Sequence, residues 1–199
     1  GHLLIEVYEH RKKLNTLLQD GMDIYMTLNK DFILEKNNFI TKQECNILIK
    51  DLKDKTTKAE KKEYGYECFD LEGTVIFDQV QQKVFPLWSE YIKKFPEINL
   101  TTDKWSLTTL RFKKFKPGKY FEKWHSEHSY NHATRILNIQ IYLTSHDCGT
   151  EFYNGKIIKS EQGKVVIFPS YFTHTHRGQK CPDNKIRYLI TGYVNFLNL

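Results

Sequence analysis

The sequence predicts an α+β fold in a single domain, residues 1–199, with a mainly helical region over 1–100 and a strand-rich region over 105–196. Three observations carry this. A capping box stands ahead of an apolar stretch at residue 41, and an apolar stripe recurs every four residues from Val80. Beyond Lys104 the pattern changes to short β-rich runs separated by Gly118, Gly149, Gly155, Gly163 and Gly178.

Taken in order, Leu3 to Leu18 has apolar positions at roughly helical spacing, ended by Gly21. Phe32 to Phe39 reads as a short strand. Thr41-Lys-Gln-Glu44 is a capping box, in which hydroxyl and carboxylate satisfy each other's orphan backbone N–H groups, so a helix is expected over Lys42 to Leu52. Lys53 to Glu63 is too polar to pack and reads as an exposed loop or helix end. Val80, Val84, Trp88 and Ile92 define one face of a helix ending before Pro96, expected to cover one side of a sheet. The strands expected after it are Trp105 to Phe112, Ile136 to Leu143, Glu151 to Phe152, Lys164 to Phe168 and Arg187 to Phe196. Short strands with frequent turn signals favour a sandwich or barrel over a parallel sheet.

Composition narrows the function classes. Aromatic residues make up 14% of the 199, which disordered chains do not reach. No apolar stretch approaches the roughly 20 residues needed to span a bilayer, so no membrane association is expected. The net charge of +6 permits an acidic or nucleic-acid partner. Its lysines are dispersed, however, and no basic stripe with interleaved aromatics accompanies them. Cys45, Cys68, Cys148 and Cys181 form no CxxC pair and follow no secretory segment, so reduced thiols and a cytoplasmic location are expected.

The chemistry lies in Trp124-His125-Ser126-Glu127 and, about fifty residues on, Phe172-Thr-His174-Thr-His176-Arg-Gly178. A histidine and a carboxylate two apart on an extended segment point to one face, so both can reach one metal. With a third ligand from a second strand end, two imidazoles and one carboxylate leave three positions open. That is the arrangement of non-haem Fe(II) oxygenases. Each histidine alone reads equally well as a structural residue.

Phe115-Lys-Pro-Gly-Lys-Tyr120, Ile141-Tyr-Leu143, Gly149-Thr-Glu-Phe152, Gly163-Lys-Val-Val-Ile-Phe-Pro169 and Arg187-Tyr-Leu-Ile-Thr-Gly-Tyr193 surround these motifs in a fixed order. Over residues 105 to 196 that order resembles the Fe(II)- and 2-oxoglutarate-dependent dioxygenases of the prolyl 4-hydroxylase-like kind. The resemblance implies a double-stranded β-helix (jelly-roll) core with the N-terminal helices packed on one sheet. It assigns His125, Glu127 and His176 to the metal, with His174 as the competing distal ligand, set aside because the distal histidine lies around ten residues ahead of a basic anchor. That anchor for the far carboxylate of 2-oxoglutarate falls on Arg187, assisted by Tyr142 and, on the same face, Thr191. Glu127 and Arg187 stand where collagen-type relatives have Asp and Lys, a departure that bears on subfamily and substrate.

The implied reaction hydroxylates a substrate, a peptidyl proline first, with release of succinate and CO2 and with ascorbate as reductant. A peptide or protein partner is therefore expected, bound under covering segments near Tyr64 to Thr74 and His128 to Thr134. A non-catalytic jelly-roll binding module, and an oxygenase acting on a nucleic acid or small molecule, are the alternatives. Oligomeric state is left open.

Overall fold

The computed structural model describes residues 12–21, 30–58, 64–100 and 104–197. The chain divides into two compact units, Gly1–Phe32 and Ile33–Leu199. In the first, residues 12–21 form helix α1, exposed throughout. The rest of the first expected helix, residues 3–11, lies outside the described residues.

The second unit holds everything that builds the site. Strand β1 (Leu34–Lys36) is shorter than the expected Phe32 to Phe39 because Phe32 and Asn38 both take φ of 53°, which ends an extended run on either side. Helix α2 (Lys42–Leu52) begins at the capping box, with Thr41 Oγ1 accepting from Glu44 N–H at 3.1 Å and Glu44 Oε2 accepting from Thr41 N–H at 2.7 Å. The polar stretch after it contains a two-residue edge strand, β2 (Thr57–Lys58), paired with β3 (Glu67–Asp70). Helix α3 (Val75–Lys94) buries Val80, Val84, Leu87 and Tyr91, with Trp88 half-buried against the Trp105 ring. The buried face thus follows spacings of four, three and four. A strict four-residue recurrence drifts around a helix of 3.6 residues per turn, so the second half of the expected stripe, Trp88 and Ile92, turns away from the centre of the contact.

The remaining strands are β4 (Trp105–Phe115), β5 (Arg135–Tyr142), β6 (Gly149–Phe152), β7 (Ile157–Lys159), β8 (Val165–Pro169), β9 (His176–Gly178) and β10 (Arg187–Phe196). They form an antiparallel seven-stranded sheet ordered β1-β8-β5-β10-β4-β3-β2 and a three-stranded sheet ordered β7-β6-β9. The described ladders are two separate sheets and not one closed barrel. Strands β7 and β9, three residues each, are too short to show an alternation in sequence.

Period-two alternation gives the large sheet two different faces. Ile141 on β5 and Ile190 on β10 are directly opposite each other, and Ile47, Leu48 and Val80 of α2 and α3 line an apolar pocket with them. The other face carries Gln140 and Tyr142 of β5, Leu189 and Thr191 of β10, and Lys113 and Phe115 of β4. Phe115, Tyr142 and Leu189 pack there in one buried cluster with Val166 and Phe168 of β8 and with Phe152 and Ile158 of the small sheet. The functional side chains stand on this inner face, between the sheets.

One expectation is corrected here: two of the four cysteines are joined, Cys148 to Cys181, while Cys45 and Cys68 are not in a disulfide. The loop after β5 and the loop after β9 are laced together by Gln179, whose N–H donates to Gly149 O at 2.9 Å and whose Oε1 accepts from Gly149 N–H at 3.1 Å. This juxtaposes residues 33 apart in sequence, and no local spacing motif announces it.

Candidate metal centre

His125 and Glu127 do not lie on a regular strand. They belong to an extended segment held by backbone bonds to the far side of the site. His125 and His176 exchange both N–H···O bonds, at 3.0 and 2.9 Å, and Glu127 N–H donates to Ser170 O at 3.0 Å. This isolated bridge faces the two imidazoles toward each other, with ring centroids 4.4 Å apart. Glu127 Oε1 lies 3.3 Å from His125 Nε2 and 4.0 Å from His176 Nε2. One ligand atom from each of the three residues falls within 4.8 Å of the others.

The supporting contacts fix which atoms face inward. His125 Nδ1 is 2.9 Å from Lys123 O, and His176 Nδ1 is 2.9 Å from His174 O. A carbonyl can only accept, so each Nδ1 carries a proton and Nε2 is the nitrogen that faces the centre, donating to Glu127 while its ring is charged and presenting a lone pair once the ring is neutral. Burial alone would raise the Glu127 carboxyl, but the His125 hydrogen bond and the nearby His125, Lys113 and His176 charges hold it down to about 2. Burial, with His125 alongside, depresses His176 to about 4. At neutral pH Glu127 is an anion and His176 is neutral, the ionisation states a divalent cation requires.

His174 is placed elsewhere. It closes a 3-10 turn (Phe172–His174), with Nδ1 2.9 Å from Thr173 Oγ1, so it does not share a strand face with His176. What it contributes is its backbone carbonyl, which orients the His176 ring.

The same pocket is lined by Arg187, Tyr142 and Thr191. Arg187 is 5% exposed and stacks its guanidinium on the Phe115 ring at 4.6 Å. Its Nη1 donates to Cys148 Sγ at 3.5 Å, and its Nε–H is buried without any partner. Thr191 Oγ1 is likewise buried and unpartnered. The Tyr142 hydroxyl is 2.7 Å from Thr150 Oγ1 and donates to Gln140 Oε1 at 3.1 Å. Burial pushes this phenol up to about 12, so it remains an O–H.

Sequence reasoning passed over Gln140, Thr150, Lys113 and Phe121, all of which line the pocket. Gln140 lies two residues before Tyr142, so strand alternation was available to find it. Thr150 and Phe121 come from other segments and carry no such signal. Phe121 packs on the His125 ring at 4.2 Å and on Tyr64 at 5.3 Å, extending an aromatic wall from one segment expected to cover the site. In the other, residues 130–132 form a 3-10 turn with Tyr130 exposed.

Lys113 stands out electrostatically. Burial brings its ammonium down to about 8, with Glu127 opposing and Arg111 reinforcing, and its Nζ sits 4.6 Å over the Tyr66 ring. Because the folded-state value is below that of a free lysine, the unfolded chain binds more protons between about pH 8 and 10.5, and this residue's penalty on stability fades across that window. Lys113→Met is therefore expected to stabilise the ligand-free protein by about 1–3 kcal/mol at pH 7. The gain should shrink as pH rises through the window, as read from urea melts at several pH values. A gain independent of pH would refute this account.

No family model matches the chain, and neither does any curated protein. Solved structures do match in fold. A viral collagen prolyl hydroxylase from Paramecium bursaria Chlorella virus-1, in complex with 2-oxoglutarate, superposes with a TM-score of 0.65 at 16% identity, covering 85% of this chain and 98% of the other. A prolyl-4-hydroxylase from Pseudomonas putida gives 0.65 at 14%, covering 86% and 96%. A Trichoplax adhaerens prolyl hydroxylase, bound to a peptide fragment of the hypoxia-inducible-factor oxygen degradation domain, gives 0.65 at 14%, covering 85% and 86%. At such identities the likeness shows a shared fold.

Proposed function

We propose that this protein is an Fe(II)- and 2-oxoglutarate-dependent dioxygenase that hydroxylates a peptidyl substrate, with proline the first candidate residue. The observation that carries the reading is the pairing, in one pocket, of the His125–Glu127–His176 cluster with a buried arginine whose Nε–H has no partner. A buried, unneutralised guanidinium is costly, and a ligand bearing a carboxylate relieves that cost while the nearby cluster holds a cation.

The residues fit both groups. His125 Nε2, His176 Nε2 and a Glu127 oxygen would hold the iron. Arg187 Nε–H and the Thr191 hydroxyl, both left open, would take the far carboxylate of 2-oxoglutarate. Tyr142, tied to Gln140 and Thr150, would fix the wall beside it. Bound there, iron and 2-oxoglutarate would supply the oxidising chemistry, in which one atom of dioxygen goes to 2-oxoglutarate as it becomes succinate and CO2 and the other turns a substrate C–H into C–OH, with ascorbate keeping the metal reduced. The chain's own part is to hold the ligands in their coordinating protonation states, to neutralise the dicarboxylate and to keep the centre buried.

The peptide assignment draws on the fold relatives, one of which is bound to a peptide fragment. It also draws on the rim. Trp124, next to His125, meets the Tyr153 ring edge-on at 5.2 Å and carries the Arg177 guanidinium on its face at 4.4 Å, while Tyr153 is exposed. Aromatic faces with an adjacent cation suit an extended peptide containing proline.

The test is succinate formation from 2-oxoglutarate by anaerobically prepared protein given Fe(II), ascorbate and air, with proline-containing peptides and their alanine counterparts. Succinate coupled to gain of one oxygen atom on the proline peptides alone supports the proposal. Failure of the protein to bind Fe(II) and 2-oxoglutarate in a calorimeter would refute the oxygenase reading. Equal turnover with the alanine peptides would refute only the prolyl substrate.

A further inference from the structure

Outside this pocket, one cluster of ligating side chains has no role in the chemistry above. His146 and Cys148, on the loop after β5, meet Cys181 and Asp183, on the loop after β9. His146 Nδ1 is 2.8 Å from Asp183 Oδ2, and one ligand atom each from His146, Cys181 and Asp183 falls within 4.8 Å of the others. Cys148 joins the group through its bond to Cys181. The motifs His-x-Cys and Cys-x-Asp thus converge on one spot with an imidazole, two sulfurs and a carboxylate.

The surroundings resemble the support of a metal ligand more than a chance surface contact. His146 and Cys148 are each 4% exposed. On the far side of the imidazole, Nε2 lies 2.9 Å from Thr144 Oγ1, which also accepts from Tyr188 N–H at 3.0 Å and donates toward Tyr188 O at 3.5 Å. The hydroxyl and Nε2 are hydrogen-bonded, with the direction set by which ring nitrogen carries the proton. Nδ1 faces both Asp183 oxygens, at 2.8 and 3.1 Å, and donates to them while it carries the ring proton; with that proton on Nε2 instead, two acceptors face each other and a cation between them satisfies both.

We propose that these four residues form a second metal site, for Zn2+ or a similar thiophilic dication, that opens when the Cys148–Cys181 bond is reduced. Reduction by a dithiol transfers two electrons and two protons, breaks the S–S bond, leaves two thiols and converts the dithiol to its own disulfide. Binding of the cation then expels the two thiol protons, giving a thiolate, thiolate, imidazole and carboxylate set. In a tetrahedral zinc site with bonds of about 2.0–2.3 Å the ligand atoms stand roughly 3.3–3.8 Å apart, so the two sulfurs, once unbonded, and the His146–Asp183 pair, now 2.8 Å apart, would each separate to that spacing. Two thiolates favour zinc or cobalt over the oxygen-loving cations. Since Arg187 Nη1 donates to Cys148 Sγ, occupancy would also place a metal-bound thiolate against the arginine of the main pocket.

The site does not depend on the oxygenase reading, and its test separates the two. Dithiothreitol-reduced, desalted protein carrying His176→Ala is titrated anaerobically with Co(II), and the near-ultraviolet thiolate-to-cobalt charge-transfer band is followed. The band is expected to saturate at one equivalent, to be displaced by Zn2+, and to be absent from disulfide-closed wild type, a control that needs no substitution at the site. It should also vanish in the Cys148→Ser/Cys181→Ser protein. A reduced protein without the band, or a band unchanged by the double substitution and hence due to Cys45 or Cys68, overturns the proposal.

Discussion

Replacing Arg187 by methionine is expected to weaken 2-oxoglutarate binding by about 30-fold to several thousand-fold, while Fe(II) still binds and the ligand-free protein melts no lower than wild type. The range corresponds to roughly 2–5 kcal/mol for truncating one partner of a buried, hydrogen-bonded charge pair. The unusual element is the stability outcome. Truncating most buried arginines breaks an ion pair and costs stability. Here the guanidinium has a sulfur acceptor, an aromatic face and an Nε–H with no acceptor, so in the ligand-free protein its burial is poorly compensated. Methionine fills similar volume against Phe115 without a charge to desolvate. Arg187→Lys, which keeps the charge but loses the planar fork, should fall between the two. Anaerobic calorimetry with 2-oxoglutarate and thermal melts of the ligand-free proteins read both halves. Unchanged 2-oxoglutarate affinity in Arg187→Met would remove Arg187 from the site. A melting point several degrees lower would mean that the charge is satisfied within the protein alone.

What was legible in the sequence, and what was not, divides along physical lines. Helix α2 begins and ends where the Thr41–Glu44 box and the polar run after Leu52 place it, because capping is a local interaction between residues three apart. Strand β10 matches its expected range, its long β-rich run being unbroken. The face shared by Arg187 and Thr191 follows from the period-two alternation of any strand. The illegible parts depend on chain segments meeting from afar. The His125–His176 bridge, the turn that separates His174 from His176, and the Cys148–Cys181 pairing are all set by how loops cross the mouth of the two sheets. Spacing favoured His176 over His174 only through the distance to Arg187. Strand geometry, which assumed both histidines on one face, could not distinguish them, since the chain there turns through a 3-10 helix.

That turn gives the sharpest expectation at the metal centre. His176→Ala should lower Fe(II) affinity by at least 100-fold and abolish succinate formation, because loss of a ligand exceeds the 10–100-fold cost of disturbing an outer-shell partner. His174→Ala should leave metal affinity within about tenfold of wild type. Its support of His176 comes from a backbone carbonyl that any residue supplies, while the contacts of its ring, with Thr173, Phe152 and Phe168 among them, lie outside the ligand set. Glu127→Gln should act like His176→Ala on metal binding, since the amide keeps the outline of the carboxylate but not its charge, and its NH2 replaces one of the two oxygens that now face Asn138 Nδ2 and Arg135 Nη1, each at 3.5 Å. Using the disulfide-closed protein keeps the cysteine cluster out of the titration. A His174→Ala protein that loses iron while His176→Ala retains it would require the distal segment to turn the other way. That would break the paired backbone bonds between His125 and His176, on which the arrangement of the whole centre depends.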